Sequence, residues 1–200
     1  MNQVKSKVKD SRLVDEKRKR IVDGAIKVFT KKGYHKATVR KIAEASGLGL
    51  GSIYDYVKSK DDILYLFYQN YMNSFYAKLN SADIQLEDDP KKRLLITYRA
   101  HIDVCFELED QVMLAFTQAR YMKKRYLKDI LTRESEIVDK FREILEDIGH
   151  SEDEASLIAN NLVFSSAFGV LRRWNLKGKH TREEITDFLC EVNLKSVIEK

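Results

Sequence analysis

The chain has 200 residues, 44% hydrophobic and 34% charged, with 36 Lys and Arg against 31 Asp and Glu for a net charge of +5. That is enough apolar material for a head of about 60 residues and a second core of about 130, and one proline with eight glycines suits a nearly all-helical chain. No apolar run approaches the roughly 20 residues of a membrane span and no signal-peptide pattern is present, so a cytoplasmic protein is expected; Cys105 and Cys190 are too few for a disulfide framework and read as buried thiols.

The predicted fold class is all-α, with nine helices and no strand. Residues 1–14, carrying Lys5, Lys7 and Lys9, read as a basic flexible arm. A helix over 15–32 follows, its stripe of Ile21, Val22, Ala25, Val28 and Phe29 ending at Gly33. Thr38 is a good N-cap for a short helix carrying Val39, Ile42 and Ala43 to about residue 46, where Gly47 can take the left-handed conformation that ends it. Leu48 packs the turn. From Gly49 another short helix carries Leu50, Ile53 and Val57 inward and offers Ser52, Tyr54 and Tyr56 outward. Ser59 caps a fourth helix running to about residue 80, with Asp61 and Asp62 placed favourably for the helix dipole.

The segment 81–89 is polar and acidic, and Pro90 after Asp89 opens a helix to about residue 108, with Leu94, Tyr98, His101, Cys105 and Leu108 on one stripe. Helices over 110–119, 123–148, 152–175 and 182–198 complete the chain. Ser151 with Glu154, and Thr181 with Glu184, have the spacing of a capping box, in which hydroxyl and carboxylate each accept an orphan backbone donor. The eighth helix presents Ala155, Ile158, Ala159, Leu162, Val163, Ser166 and Val170, with small residues at Ser165, Ala167 and Gly169, and the ninth adds Ile185, Phe188, Leu189 and Val192. Two such stripes suit either a partner's helices or the chain's own core.

Charge is segregated. Residues 1–60 hold 16 Lys and Arg against 6 Asp and Glu, whereas residues 61–200 hold 20 against 25. A cationic head on an acidic body is the electrostatic footprint of a nucleic-acid binder, because phosphate neutralisation dominates affinity for a duplex. The two short helices around Gly47 form a helix-turn-helix whose second member is the candidate for the major groove. On it, Gly51 lets the backbone approach a phosphate, and Tyr54 and Tyr56 carry hydroxyls for phosphate oxygens and rings for thymine methyls. Buried ring packing is the competing reading for the tyrosines, Tyr56 above all. Arg40 and Ser52 are candidates for base edges, and Thr38 both caps its helix and touches the DNA backbone.

The stretch TVRKIAEASGLGLGSIYDYVKSK, Thr38 to Lys60, resembles the TetR family of bacterial transcriptional regulators, matching its motif at Thr38, Val39, Arg40, Ile42, Ala43, Gly47, Gly51, Tyr54, Tyr56, Ser59 and Lys60. Ile21, Ala25, Phe29, Gly33 and Tyr34 extend the likeness over about residues 17–66, with departures at Gly49, Leu50 and Val57. The resemblance implies a DNA-binding domain over 15–60, a phosphate contact at Lys60, and a helical ligand-binding and dimerisation domain over 61–200. It also implies a homodimer through the last two helices, which would set two reading helices about 34 to 36 Å apart on a double-stranded, near-palindromic operator. A small-molecule effector among the helices of the second domain would release the operator through the fourth helix.

Tyr98, His101, Phe116, Gln118, Tyr121, Asn161, Phe164, Phe168 and Trp174 supply the aromatic lining and few polar groups expected of an apolar effector's pocket, each of them also readable as ordinary core. Arg120, Lys123, Lys124 and Arg125, with Arg172 and Arg173, would suit an anionic effector such as an acyl-coenzyme A thioester, or are solvated surface. An enzyme is the rival class. No phosphate-cradling glycine loop or nucleophile elbow is present, and His35, His101, His150 and His180 form no metal spacing with the cysteines, so no catalytic residue, metal or cofactor is expected. A DNA-binding protein without an effector is the other alternative.

Overall fold

Asp10 starts the first helix four residues earlier than the apolar stripe predicts, because its carboxylate accepts the amides of Arg12 (3.0 Å) and Leu13 (3.2 Å). The computed structural model describes residues 4–199, with Ala82 and Asp83 described by their backbone alone. In chain order the helices are α1 (Ser11–Lys36), α2 (Val39–Ala45), α3 (Leu50–Tyr56), α4 (Lys60–Leu79), α5 (Ala82–Gln85), α6 (Pro90–Glu107) and α7 (Glu109–Gln118). A 3-10 turn (Ala119–Tyr121) leads to α8 (Lys124–Ile148), α9 (Glu152–Ser165), α10 (Phe168–Leu171), α11 (Arg173–Leu176) and α12 (Arg182–Ile198). There is no strand among the described residues, so the fold is all-α, with three short helices beyond the nine expected.

Local signals placed most boundaries. Gly33 breaks α1 at φ 70°, ψ 164°, leaving one further turn; Asp89 accepts the amide of Lys91 (2.9 Å) ahead of Pro90; and both capping boxes form, at Ser151–Glu154 and Thr181–Glu184. The predicted helix over 152–175 is instead broken into α9, α10 and α11. The Ser165 and Ser166 hydroxyls donate back to the carbonyls of Leu162 (3.3 Å) and Val163 (2.7 Å), an arrangement that competes with the helical ladder. Gly169 then sits where a Cβ would lie 2.5 Å from Phe106 and 3.1 Å from Ile185. Its missing side chain therefore serves packing within the chain, not the approach of a partner helix.

Two compact units result. The first gathers the described residues up to Met72 with residues 113–131, and the second gathers 73–112 with 132–199, so the division is not one cut after residue 60. In the first, Ile21, Ala25 and Phe29 of α1, Ile42 of α2, Ile53 of α3, Ile63 and Leu64 of α4, and Leu114 and Tyr126 share a core. In the second, Leu94, Tyr98, Ile102, Phe141, Leu145, Ala155, Ala159 and Leu162 are fully enclosed, and Cys105 and Cys190 are buried free thiols, as expected. Most of the stripe proposed for a partner's helices (Ala155, Ala159, Leu162, Ser166, Val170, Ile185 and Leu189) is thus interior to the chain itself.

Candidate nucleic-acid interface

The turn between α2 and α3 is built by three local devices. Thr38 accepts the amide of Lys41 (3.3 Å) at the start of α2; Gly47 takes φ 65°; and the Leu48 amide reaches back to the Ala43 carbonyl at 2.9 Å, closing the helix end. Gly49 begins α3 with no side-chain cap. The seven residues of α3 then divide by face: Ile53 and Tyr56 are buried, three apart, while Gly51, Ser52 and Tyr54 are exposed.

Tyr54 and Tyr56 cannot both face outward. Residues two apart on a helix point about 200° apart, so one faces water (41% exposed) and the other the core (6% exposed). This corrects the expectation that placed Tyr56 on the outer face, and Leu50, expected to point inward, is exposed as well. Thr38, Arg40, Gly51 and Ser52 are all exposed, as an external contact surface requires.

Lys60 is also placed otherwise than the resemblance implied. Its ammonium donates to the carbonyls of Tyr34 (2.8 Å), Ala37 (3.1 Å) and His35 (3.4 Å), at the C-terminal end of α1. Three donors thus meet three acceptors within the chain. Two arginines act similarly: Arg20 donates to the carbonyls of Ser46 (3.0 Å) and Gly47 (2.9 Å) at the end of α2, and Arg18 donates to Tyr56 (3.2 Å) at the end of α3. Each cation neutralises the negative end of a helix and satisfies its orphan carbonyls. Part of the head's positive charge is therefore spent inside the head. Gly24 allows the same assembly, since a Cβ there would lie 2.2 Å from the Ser46 hydroxyl. Lone arginines in a charge run carry no signal of this kind.

Gly51 has no such internal reason. It has no positive φ, and a Cβ placed on it would meet nothing within 4 Å. A glycine in a helix costs roughly 1 kcal/mol relative to alanine, and here neither packing nor conformation offsets that cost.

The nine residues expected to line an effector pocket divide between the two units. Tyr98 and His101 are interior to the second unit. Gln118 and Tyr121 belong to the first, where Gln118 accepts the Tyr34 amide (3.2 Å) and Tyr121 stacks on Tyr34 with centroids 5.6 Å apart. Phe116, Asn161, Phe168, Phe164 (64% exposed) and Trp174 (74%) lie at the surface, where aromatic composition alone cannot distinguish lining from skin.

His101 is a satisfied core histidine. Its Nδ1 lies 2.6 Å from the Ser166 hydroxyl, which also lies 2.7 Å from the Val163 carbonyl. Complete burial holds its pKa down to about 3, and burial likewise pushes the neighbouring Cys105 thiol, 3.6 Å from the same hydroxyl, up to about 12. Tyr98 hydrogen-bonds Ser165 (2.8 Å) and accepts from Asn193 (3.2 Å), which also accepts from Asn161 (2.9 Å).

The fold and this exposed face define an all-helical helix-turn-helix protein. Residues 21–65 match the profile described as "Bacterial regulatory proteins, tetR family". The chain is similar to the HTH-type transcriptional regulator HbdR of Aromatoleum sp. (strain CIB), 31% identical over 140 residues that cover 68% of this chain and 61% of that protein, which is under two thirds of its length. It is similar also to the "Fatty acid metabolism regulator protein" of Bacillus subtilis (strain 168), 26% identical over 77% of this chain and 81% of that one. Among solved structures, AibR in complex with isovaleryl coenzyme A and operator DNA shares the fold, with a TM-score of 0.76, 17% identity, and coverage of 89% of this chain and 98% of that one. Residues 21–65 thus carry the helix-turn-helix domain of the TetR family. Among the described residues, no helix is long and apolar enough to cross a membrane.

Proposed function

We propose that this protein is a homodimeric repressor that binds a near-palindromic operator through α3 and leaves it when a small, largely apolar effector binds the second unit. One observation carries the DNA-binding part: Gly51, exposed on the outer face of α3 beside Ser52 and Tyr54, has no conformational or packing role within the chain. Such a glycine is accounted for by close approach of an external backbone, and a duplex is the partner a cationic head suits. Thr38 and Arg40 at the start of α2 complete the contact set we assign; Lys60 and Tyr56 act in holding the head together.

Dimerisation is supported by apolar side chains that the second unit leaves at its surface. Leu157 and Phe164 of α9 and Phe188 and Val192 of α12 are all more than half exposed, more apolar surface than isolated exposed residues explain. The effector class rests on relatives: one is named a fatty acid metabolism regulator, and AibR is titled with isovaleryl coenzyme A. A regulator without an effector is favoured by one observation, that Tyr98 and His101 already have partners within the chain.

Selection of bound fragments from random duplexes tests the first claim: a recovered inverted repeat supports it, and no enrichment at moderate salt refutes it. A metabolite panel read by thermal shift separates the two readings of the second unit. A compound that raises the melting temperature and also weakens operator binding identifies the sensor.

A further inference from the structure

Residues 4–9, VKSKVK, are held against α3. Val4 is buried and Ser6 and Val8 half-buried, while Lys5, Lys7 and Lys9 are exposed, a two-residue alternation that belongs to extended chain. The Lys7 amide donates to the Asp55 carbonyl at 2.8 Å and the Ser6 hydroxyl to the same oxygen at 3.0 Å, while Arg18 donates at once to the carbonyls of Val4 and Tyr56. The anchors of this segment are thus the last two residues of the reading helix itself. Three lysines recur on its outer side at intervals of about 7 Å.

The second observation concerns Asp55. It is the one acidic residue of α3, and its carboxylate would repel the phosphates that the rest of the face approaches. The Lys7 ammonium lies 3.4 Å from it. Lys5 and Lys9 make no ion pair with any described residue.

We propose that this segment is a second contact for the duplex read by α3, with Lys5 and Lys9 on phosphates and Lys7 masking Asp55. The inference rests on the DNA-binding reading above. Because the segment is pinned to α3, both surfaces meet one duplex, and pre-ordering reduces the entropy cost of docking lysines that would otherwise wander.

The test titrates the full chain and its Lys5→Ala/Lys9→Ala variant against the duplex selected by the wild type and an unrelated one, from about 50 to about 300 mM salt. Losing two phosphate contacts lowers the slope of log K against log salt by about 1.8 and weakens both duplexes by the same factor, about tenfold or more at 0.1 M. Lys7→Ala weakens binding, and adding Asp55→Asn restores it. Unchanged thermal midpoints confirm that the exposed lysines do not hold the fold. A variant that shares the slope of a wild type that binds overturns the second contact and leaves the role of α3 standing; a Lys7→Ala loss that Asp55→Asn does not restore overturns the masking. A wild type that binds no duplex overturns both this inference and the reading beneath it.

Discussion

The ammonium of Lys60 lies 2.8 Å from the carbonyl oxygen of Tyr34 and 4.2 Å from the centroid of that residue's ring, so one side chain closes the end of α1 from two directions. Around it Tyr34 donates its hydroxyl to Asp61, and Lys123 pairs with the same carboxylate at 2.8 Å. Burial and this hydrogen bond both push the Tyr34 pKa up, so the phenol keeps its proton. Replacing Lys60 by Met removes the three charge-assisted bonds while keeping most of the stem. Unfolding free energy is expected to fall by about 1.5 kcal/mol, and the salt slope of DNA binding to stay unchanged. A slope lowered by about one, with stability intact, would place the residue on a phosphate after all.

Gly51→Ala separates stability from recognition. With ordinary helical φ and nothing within 4 Å of the new Cβ, the change is expected to stabilise the protein by roughly 0.5–1 kcal/mol while weakening operator binding. Thermal denaturation and a binding titration check the two halves. Undiminished affinity would remove the helix face from the contact set.

The two tyrosines of α3 give opposite outcomes. Tyr54→Ala, at an exposed site, is expected to leave the melting temperature within a degree or two and to lower operator affinity. Tyr56→Ala empties a core position and is expected to cost about 3 kcal/mol, with any binding loss following from unfolding. Equal destabilisation by both changes would mean the faces are assigned wrongly.

How much of this was legible in the sequence follows from the range of each signal. Helix starts at Thr38, Ser151 and Thr181 and the stop at Gly47 depend on backbone groups within four residues, and they appear where the residues indicated. The opposition of Tyr54 and Tyr56 follows from helical geometry alone. The break after Ser165 is legible only in part: the back-bonding of Ser165 and Ser166 is local, but Gly169 gains its meaning only when Phe106 and Ile185 are brought against it. Periodicity likewise showed that α9 has an apolar stripe without saying whose surface covers it. For the aromatic residues expected to line an effector pocket the limit is the same: composition marks Phe164 and Trp174 as apolar, and only the tertiary fold puts them at the surface.

The exposed apolar residues of α9 and α12 lead to a prediction about assembly. Phe188, 6.4 Å from Phe168 between ring centroids, and Val192 one helical turn on are both more than half exposed. Phe188→Glu/Val192→Glu buries no charge within the monomer but places carboxylates at the proposed interface, where unpaired charge is costly. Sedimentation at micromolar concentration is expected to move from dimer to monomer, and operator affinity to fall as the second half-site is lost. A variant that sediments with the wild type shows that these helices do not form the interface.

The buried His101 sets a dependence on acid. Its folded pKa of about 3 lies below the ordinary value of 6.5, so the unfolded chain binds more protons between those limits, and stability is full above about pH 6.5 and falls progressively down to pH 3. The displacement corresponds to a contribution of about 5 kcal/mol across that window, because protonating the ring puts a charge among Phe75, Phe141 and the Ser166 hydroxyl. His101→Asn removes the titrating group while keeping a polar partner for Ser166. Urea midpoints of the wild type are expected to drop as pH is lowered from 7 to 4, and those of the variant to drop less. Parallel curves would mean that carboxylates elsewhere set the acid limit and that the imidazole takes up its proton without cost.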